Sequence, residues 1–259
     1  MSGNIVMQGD GDIATVILRA PDRLNALNMA MWDELRRVFE GLDADGSWRC
    51  IVIRGHGDKA FAAGADIADF AANRSSVEKA RAYGKVFHGG LHAVANCRHP
   101  VVAQIQGACV GGGLELACCC DIRICGESSR FGVPVNRLGL VMAYQEMGAL
   151  VDLVGKAAAL EIVLEGRVFG AEEAREKGLV NRIVADDMVQ SEALATAERI
   201  AAGAPLVARW HKQFANRLMD PRPLSAAELD EGFACFGTED FQIGYKAFLA
   251  KEKPDFKGR

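Results

Sequence analysis

The chain has 259 residues, half of them hydrophobic and a quarter charged, with a formal net charge of −4. Such a composition belongs to a globular protein with a sizeable core, and no apolar run approaches the roughly 18 residues a membrane-crossing helix needs. The acidic balance argues against nucleic acid as the main partner, because neutralising phosphates takes clustered Lys and Arg, while a small anionic ligand needs only a local basic spot.

The first residues show neither a basic segment followed by an apolar stretch nor an Arg/Ser-rich amphipathic pattern, so the expected location is the cytoplasm. Ile5 to Met7 and Ile13 to Leu18 read as two strands joined at Gly9-Asp10-Gly11-Asp12. Asn28 is placed as the N-cap of a helix carrying Met29, Trp32, Leu35, Phe39 and Leu42 at helical spacing. Cys50 to Gly55 reads as a buried strand. Ser75-Ser76-Val77-Glu78 has the form of a capping box and opens a helix to about Cys97. His88 and His92 lie four apart on that helix with no glutamate in the zinc-protease position, so ordinary surface or core roles are expected for both.

Val101 to Leu116 holds the most informative pattern: a β-branched run, three consecutive glycines (Gly111-Gly112-Gly113), then a helix-forming run containing Glu115. The first N–H groups of a helix lack intrahelical partners and sit at its positive end, and glycine lets backbone approach a ligand closely. Glu115 falls within about one helical turn of those donors, so an acid/base group and an oxyanion site can share a pocket. The competing reading is a close strand–helix crossing with a satisfied carboxylate.

Further on, Asp121 to Cys125 reads as a strand, Glu146 to Val154 and Lys156 to Glu165 as helices, Ala171 to Lys177 as a short helix stopped by Gly178, and Leu179 to Val184 as a strand. From Met188 onward the pattern is helical, interrupted at Pro205 and at Asp220 to Pro223. An α/β body with a helical appendage is therefore expected. No pair among the eight cysteines has C-x-x-C spacing, and Cys118 to Cys120 on one helix point about 100° apart. They are read as buried thiols of a reducing compartment, with no metal site.

Several chemistries are excluded. The Gly107 to Gly113 run lacks the lysine of a phosphate loop, and Leu116 stands where a dinucleotide fingerprint wants its third glycine. No serine sits in a G-x-S-x-G elbow, and no cysteine has a protease signature.

Taken together, Leu24-Asn25-Ala26-Leu27-Asn28, Phe61-Ala62-Ala63-Gly64-Ala65-Asp66-Ile67, and Gln106 to Leu116 with Cys120-Asp121-Ile122-Arg123 resemble the crotonase superfamily, the enoyl-CoA hydratase/isomerase family. Phe131-Gly132-Val133-Pro134, Gly166 to Val180 and Ala247 to Phe256 extend the resemblance over nearly the whole chain. It implies a spiral core of β-β-α turns over 1–200 that carries a CoA-thioester site. A helical C-terminal region over 201–259 would build a homotrimer or a dimer of trimers. The resemblance also implies an acyl-CoA as the small-molecule substrate, with no separate cofactor, no nucleic acid and no membrane partner. The amides of Ala65 and Gly112 would form the oxyanion hole, with Glu115 as the acid/base. Ala63, Gly64, Asp66 and Ile67 would line the CoA, Phe248 and Lys251 would approach its adenine end across a subunit boundary, and Arg23 is matched to a phosphate, although a solvated arginine is an equal reading.

One position departs from the family. Its hydratases use two glutamates, and the second should fall at Val135, where valine can neither take nor give a proton. Double-bond isomerisation needs only one carboxylate, so isomerase-like or atypical hydratase chemistry is expected. The alternative is a catalytically impaired CoA-thioester-binding protein. Asn136, Tyr144, Gln145 and Glu146 are the neighbouring candidates for a substitute acid, and Glu146 is read as an exposed acid favoured by a helix N-terminus. RNA binding by a basic helix face is a third reading, disfavoured by the charge balance.

Overall fold

The computed structural model describes residues 3–259. β1 (Asn4–Asp10) and β2 (Ile13–Arg19) form the expected hairpin, in register from Asn4↔Arg19 to Asp10↔Ile13. α1 (Met29–Ala44) starts at Asn28, whose side chain accepts from the Met31 amide at 2.9 Å, and it buries Met31, Trp32, Leu35, Phe39 and Leu42. β3 (Cys50–Gly55) and the short β4 (Ala60–Ala62) lead through a 3₁₀ turn at Ile67–Asp69 to α2 (Phe70–Asn73) and α3 (Val77–Asn96). The capping box expected from Ser75 to Glu78 does not form. Ser76, one residue later, is the N-cap and accepts from the Lys79 amide at 3.3 Å, so Glu78 stands at the second helical position instead of the third that a capping box uses.

β5 (Val101–Ile105), β6 (Ala108–Val110) and α4 (Gly112–Cys118) follow, then β7 (Ile122–Gly126), β8 (Arg130–Gly132) and α5 (Tyr144–Glu165). Gly155 (φ 75°, ψ 162°) breaks α5 into the two helical segments the sequence suggested. β9 (Phe169–Gly170), α6 (Ala171–Glu176), β10 (Arg182–Val184) and α7 (Val189–Ala201) complete the core. The strand expected from Leu179 is shorter, beginning only at Arg182, because Leu179 is still tied to the end of α6 through its amide and the Ala174 carbonyl at 2.8 Å. The C-terminal part consists of α8 (Pro205–Leu218), α9 (Ala226–Glu231) and α10 (Glu239–Ala250).

The strands build two sheets, a six-stranded one ordered β1-β2-β3-β5-β7-β10 and a four-stranded one ordered β4-β6-β8-β9. Successive turns of chain, β3-β4, β5-β6 and β7-β8, each place one strand in each sheet with parallel pairing and then enter helix, so the chain advances as a β-β-α spiral. These are the β-β-α turns that the family resemblance implied, although the residue pattern alone did not show the strands of the second sheet. Its strands are two or three residues long, too short to show a period of two.

The main core gathers Trp32, Leu35, Phe39, Ile51, Ile53, Phe61, Phe87, Ile105, Leu114 and Phe131 between the sheets and α1, α3 and α4. A second cluster joins Ile13, Cys50, Val52, Val102 and Ile124 of the large sheet to Ala193, Ala197 and Ala201 of α7. Beyond residue 204 few residues are buried, among them Pro205 of α8 and Asp240 of α10; α8 is held by Lys212 donating to Asp121 Oδ2 at 2.8 Å and to the His99 carbonyl at 3.1 Å. Leu229, Phe233, Phe236, Tyr245, Phe248 and Leu249 are left facing outward. Among the described residues no helix is long and apolar enough to cross a membrane.

Candidate active site

Two tight turns, one after β4 and one after β6, approach each other over the start of α4. In the first, Ala63 and Gly64 exchange bonds with the loop before α1: the Ala63 amide donates to the Leu24 carbonyl at 3.0 Å, and the Leu27 amide donates to the Gly64 carbonyl at 2.8 Å. Gly64 takes φ +103°, and a Cβ there would stand 3.0 Å from the Val110 carbonyl oxygen of the second turn, so glycine is required for this approach. In the second turn the Gly111 amide donates to the Gly132 carbonyl at 2.8 Å, and Gly112 opens α4. A Cβ on Gly112 would lie 3.5 Å from the Ala65 amide nitrogen, which fixes Gly112 and the Ala65 amide as close neighbours. Both glycine-rich segments singled out in the sequence therefore meet at one place.

Ala63, Gly64, Ala65, Gly111, Gly112 and Glu115 line a cavity of about 180 Å³, closed by Ile67, Phe70, Phe87, Pro134, Val135, Leu138, Leu140 and Val141. Glu115 lies in the first turn of α4, its amide donating to the Gly111 carbonyl at 3.0 Å, and is 5% exposed. The far end of α4 is held by Arg123, itself buried, which donates to the carbonyls of Ala117 and Cys120 and, at 2.8 Å, to that of Leu179. Burial pushes the Glu115 carboxyl up to about 8; the nearby Glu146 charge adds to the rise and the Arg74 guanidinium offsets part of it. At neutral pH Glu115 is thus a protonated acid that loses its proton just above the physiological range, the poise expected of a group that both gives and takes protons.

Glu146 overturns its sequence reading. It is not an exposed helix-start acid: it lines the same cavity, its side chain is 11% exposed, and both oxygens are engaged. Oε2 accepts from the Ala143 amide at 2.7 Å, and Oε1 lies 2.6 Å from Nε2 of His88 on α3. Its neighbours in the chain place Glu146 at the start of a helix, but nothing local shows that this helix end meets His88 of α3. His88 accordingly has a specific partner, whereas His92 is exposed. Of the other substitutes considered for the missing acid, Tyr144 is 95% exposed, Asn136 is turned to the Leu164 carbonyl at 3.0 Å, and neither Asn136 nor Gln145 lines this cavity. Val135 does line it. Arg74, which the sequence reading passed over, also lines it, its guanidinium 3.7 Å above the Tyr83 ring and 4.5 Å from that of Phe70. No local sequence signal marks it.

The residues matched to CoA are dispersed. Ala63, Gly64 and Ile67 line the cavity, whereas Asp66 is not among its lining residues; it accepts from the Ala68 amide at 3.0 Å and pairs with Arg23. That ion pair occupies the Arg23 guanidinium, which donates to Asp66 Oδ1 at 2.6 Å. Phe248, 83% exposed, and Lys251, the left-handed residue that ends α10, are not among the cavity-lining residues. Among the described residues no group of His, Cys, Asp and Glu could hold a metal ion, and all eight cysteines are free thiols. Cys118, Cys119 and Cys235 are half-buried rather than fully buried as expected.

Residues 8–259 match the family described as Enoyl-CoA hydratase/isomerase. A probable enoyl-CoA hydratase of Rhizobium meliloti is 37% identical over 257 residues, covering 98% of each chain. The crotonyl-CoA hydratase of Syntrophomonas wolfei is 34% identical over 255 residues, covering 98% of this chain and 97% of that one. Among solved structures, an enoyl-CoA hydratase/carnithine racemase from Magnetospirillum magneticum is similar with a TM-score of 0.97 at 52% identity, covering 98% of this chain and 96% of that chain.

Proposed function

The chain belongs to the enoyl-CoA hydratase/isomerase family, and we propose on that premise that it is an enzyme acting on an acyl- or enoyl-CoA through an enolate, with Glu115 moving the proton at C2. The observation that carries this reading is the burial of Glu115 in the cavity whose wall brings the Ala65 and Gly112 backbones together. The thioester carbonyl would accept from the Ala65 and Gly112 amides. Negative charge builds on that oxygen as the enolate forms, so fixed donors stabilise the transition state more than the ground state, by about 2.7–4 kcal/mol for one such donor.

Ala63, Gly64, Asp66 and Ile67 would run along the CoA, and Arg23 could reach a phosphate only by leaving Asp66. Phe248 and Lys251 would serve the adenine end of a neighbouring copy, which requires the assembly of three chains, or two such trimers, through the outward apolar side chains of the C-terminal helices. The thioester enters as substrate, and the proposed proton transfers call on no other organic group.

The test is turnover of crotonyl-CoA and of 3-enoyl-CoAs, together with deuterium exchange at C2 of butyryl-CoA in heavy water. Glu115→Gln should lower these rates by about 10²–10⁴-fold with little change in acyl-CoA affinity, the range for loss of an acid/base group. Val135 lining the cavity supports a second reading, a CoA-thioester-binding protein without turnover. Glu115→Gln indistinguishable from wild type in every rate, with acyl-CoA still bound, would select that second reading.

A further inference from the structure

Resting on the thioester reading above, we infer that Glu146 is the second catalytic carboxylate of this site, positioned by His88, and that it supplies the base which Val135 cannot. The two groups reach the cavity from different elements, Glu115 from the first turn of α4 and Glu146 from the first turn of α5. A helix-capping role alone accounts for one oxygen of Glu146, the Oε2 bonded to the Ala143 amide. It does not account for the other, which meets His88 at 2.6 Å across 58 residues of sequence. With Glu146 ionised, His88 Nε2–H donates to Oε1, and the two bonds fix the plane of the carboxylate while leaving an acceptor site on each oxygen for a water. His88 also lines a second cavity, of about 770 Å³, together with Gln145 and Ala149 of α5. It therefore stands between the thioester pocket and a separate opening.

This pair makes hydration of a conjugated enoyl-CoA possible without the family's second glutamate. Glu146 takes a proton from water as the water oxygen bonds to C3, and the C2–C3 π electrons move onto the thioester oxygen between the Ala65 and Gly112 amides. The enolate then collapses as C2 takes the proton of Glu115. One water is consumed, its hydroxyl on C3, and the proton balance is restored when Glu146 loses its proton and Glu115 regains one. The charged groups that line the cavity with Glu146 are Glu115 of α4 and Arg74 between α2 and α3, and His88 of α3 bonds its Oε1.

Hydration of crotonyl-CoA and C2 exchange of butyryl-CoA in heavy water, measured side by side, test the assignment. Glu146→Gln should lose hydration by about 10²–10⁴-fold, while C2 exchange, which needs Glu115 alone, falls by less than about tenfold. His88→Ala should lower kcat for hydration by up to about 100-fold with KM little changed, and His88→Gln, which keeps a donor near the Nε2 position, should recover most of that loss. Glu146→Gln hydrating within about threefold of wild type overturns the assignment, as does wild-type protein that exchanges C2 but does not hydrate; in both cases the Glu115 reading stands. Absence of both reactions in wild type sinks the Glu115 reading and this inference together.

Discussion

Glu115 shows how one residue's surroundings set both its chemistry and its cost. A carboxyl ordinarily near 4.5 that is raised to about 8 on folding means that, between those pH values, the folded chain holds a proton the unfolded chain has released. Stability from this group is therefore intact below about 4.5, is lost as pH climbs toward about 8, and is fully lost above it. Glu115→Gln removes the titration. The variant's melting temperature should pull ahead of wild type as pH is raised from 5 to 9, at about 2–4 °C per kcal/mol for a chain of this size. Thermal melts whose difference stays constant over that range would show that Glu115 does not titrate abnormally. The same poise sets opposite limbs for the two reactions. C2 exchange, using Glu115 as a base, should rise toward pH 8, and hydration, using it as an acid, should fall beyond pH 8.

At the scale of elements, the short helix α4 matters most, because Glu115 and the Gly112 amide are both in its first turn. Seven residues give a helix little stability of its own. Its C-terminal carbonyls are held instead by Arg123, whose guanidinium bridges Ala117 and Cys120 to Leu179 from a buried position. Arg123→Met preserves much of the apolar volume but strands the buried carbonyls of Cys120 and Leu179, each costing about 1–3 kcal/mol, while that of Ala117 keeps the Cys120 amide at 3.2 Å. The variant should be destabilised by about 3 kcal/mol or more in urea unfolding. A midpoint shift worth under about 1 kcal/mol would mean that the carbonyls find other donors.

At the scale of the whole molecule, the C-terminal helices leave a set of large apolar side chains uncovered. Leu229 is 61% exposed, Phe233 67%, Phe248 83% and Leu249 65%. In the assembly proposed above these side chains would form the contact surface, since contiguous apolar patches mark interaction sites. Association into trimers, or into a pair of trimers, is the expected outcome, and light scattering should give three or six times the 27.8 kDa of one chain. A replacement such as Phe233→Asp should shift that mass downward. If the proposed contribution of Phe248 and Lys251 to a neighbouring site is right, acyl-CoA affinity should fall with it. Wild-type protein that is monomeric at micromolar concentration would remove the basis for a shared site.

By itself the sequence determined the features that depend on near neighbours in the chain: the β1–β2 hairpin, the Asn28 cap, the kink at Gly155, and the two glycine-rich turns with Glu115 just beyond one of them. Each rests on the backbone preferences of one residue or on a period visible over a helix or a full strand. The tertiary structure alone decided what depends on distant segments meeting. The second sheet is made of strands of two or three residues, each specified by the strand it lies against rather than by its own composition. Arg74 enters the cavity with no mark in the sequence around it. Glu146, read locally as a solvated acid at a helix start, became a largely covered acid lining the same cavity as Glu115 because α5 packs so that His88 of α3 closes over it. Burial and a partner 58 residues away are properties of the fold, and those are the two quantities that separate a surface carboxylate from one that can move a proton.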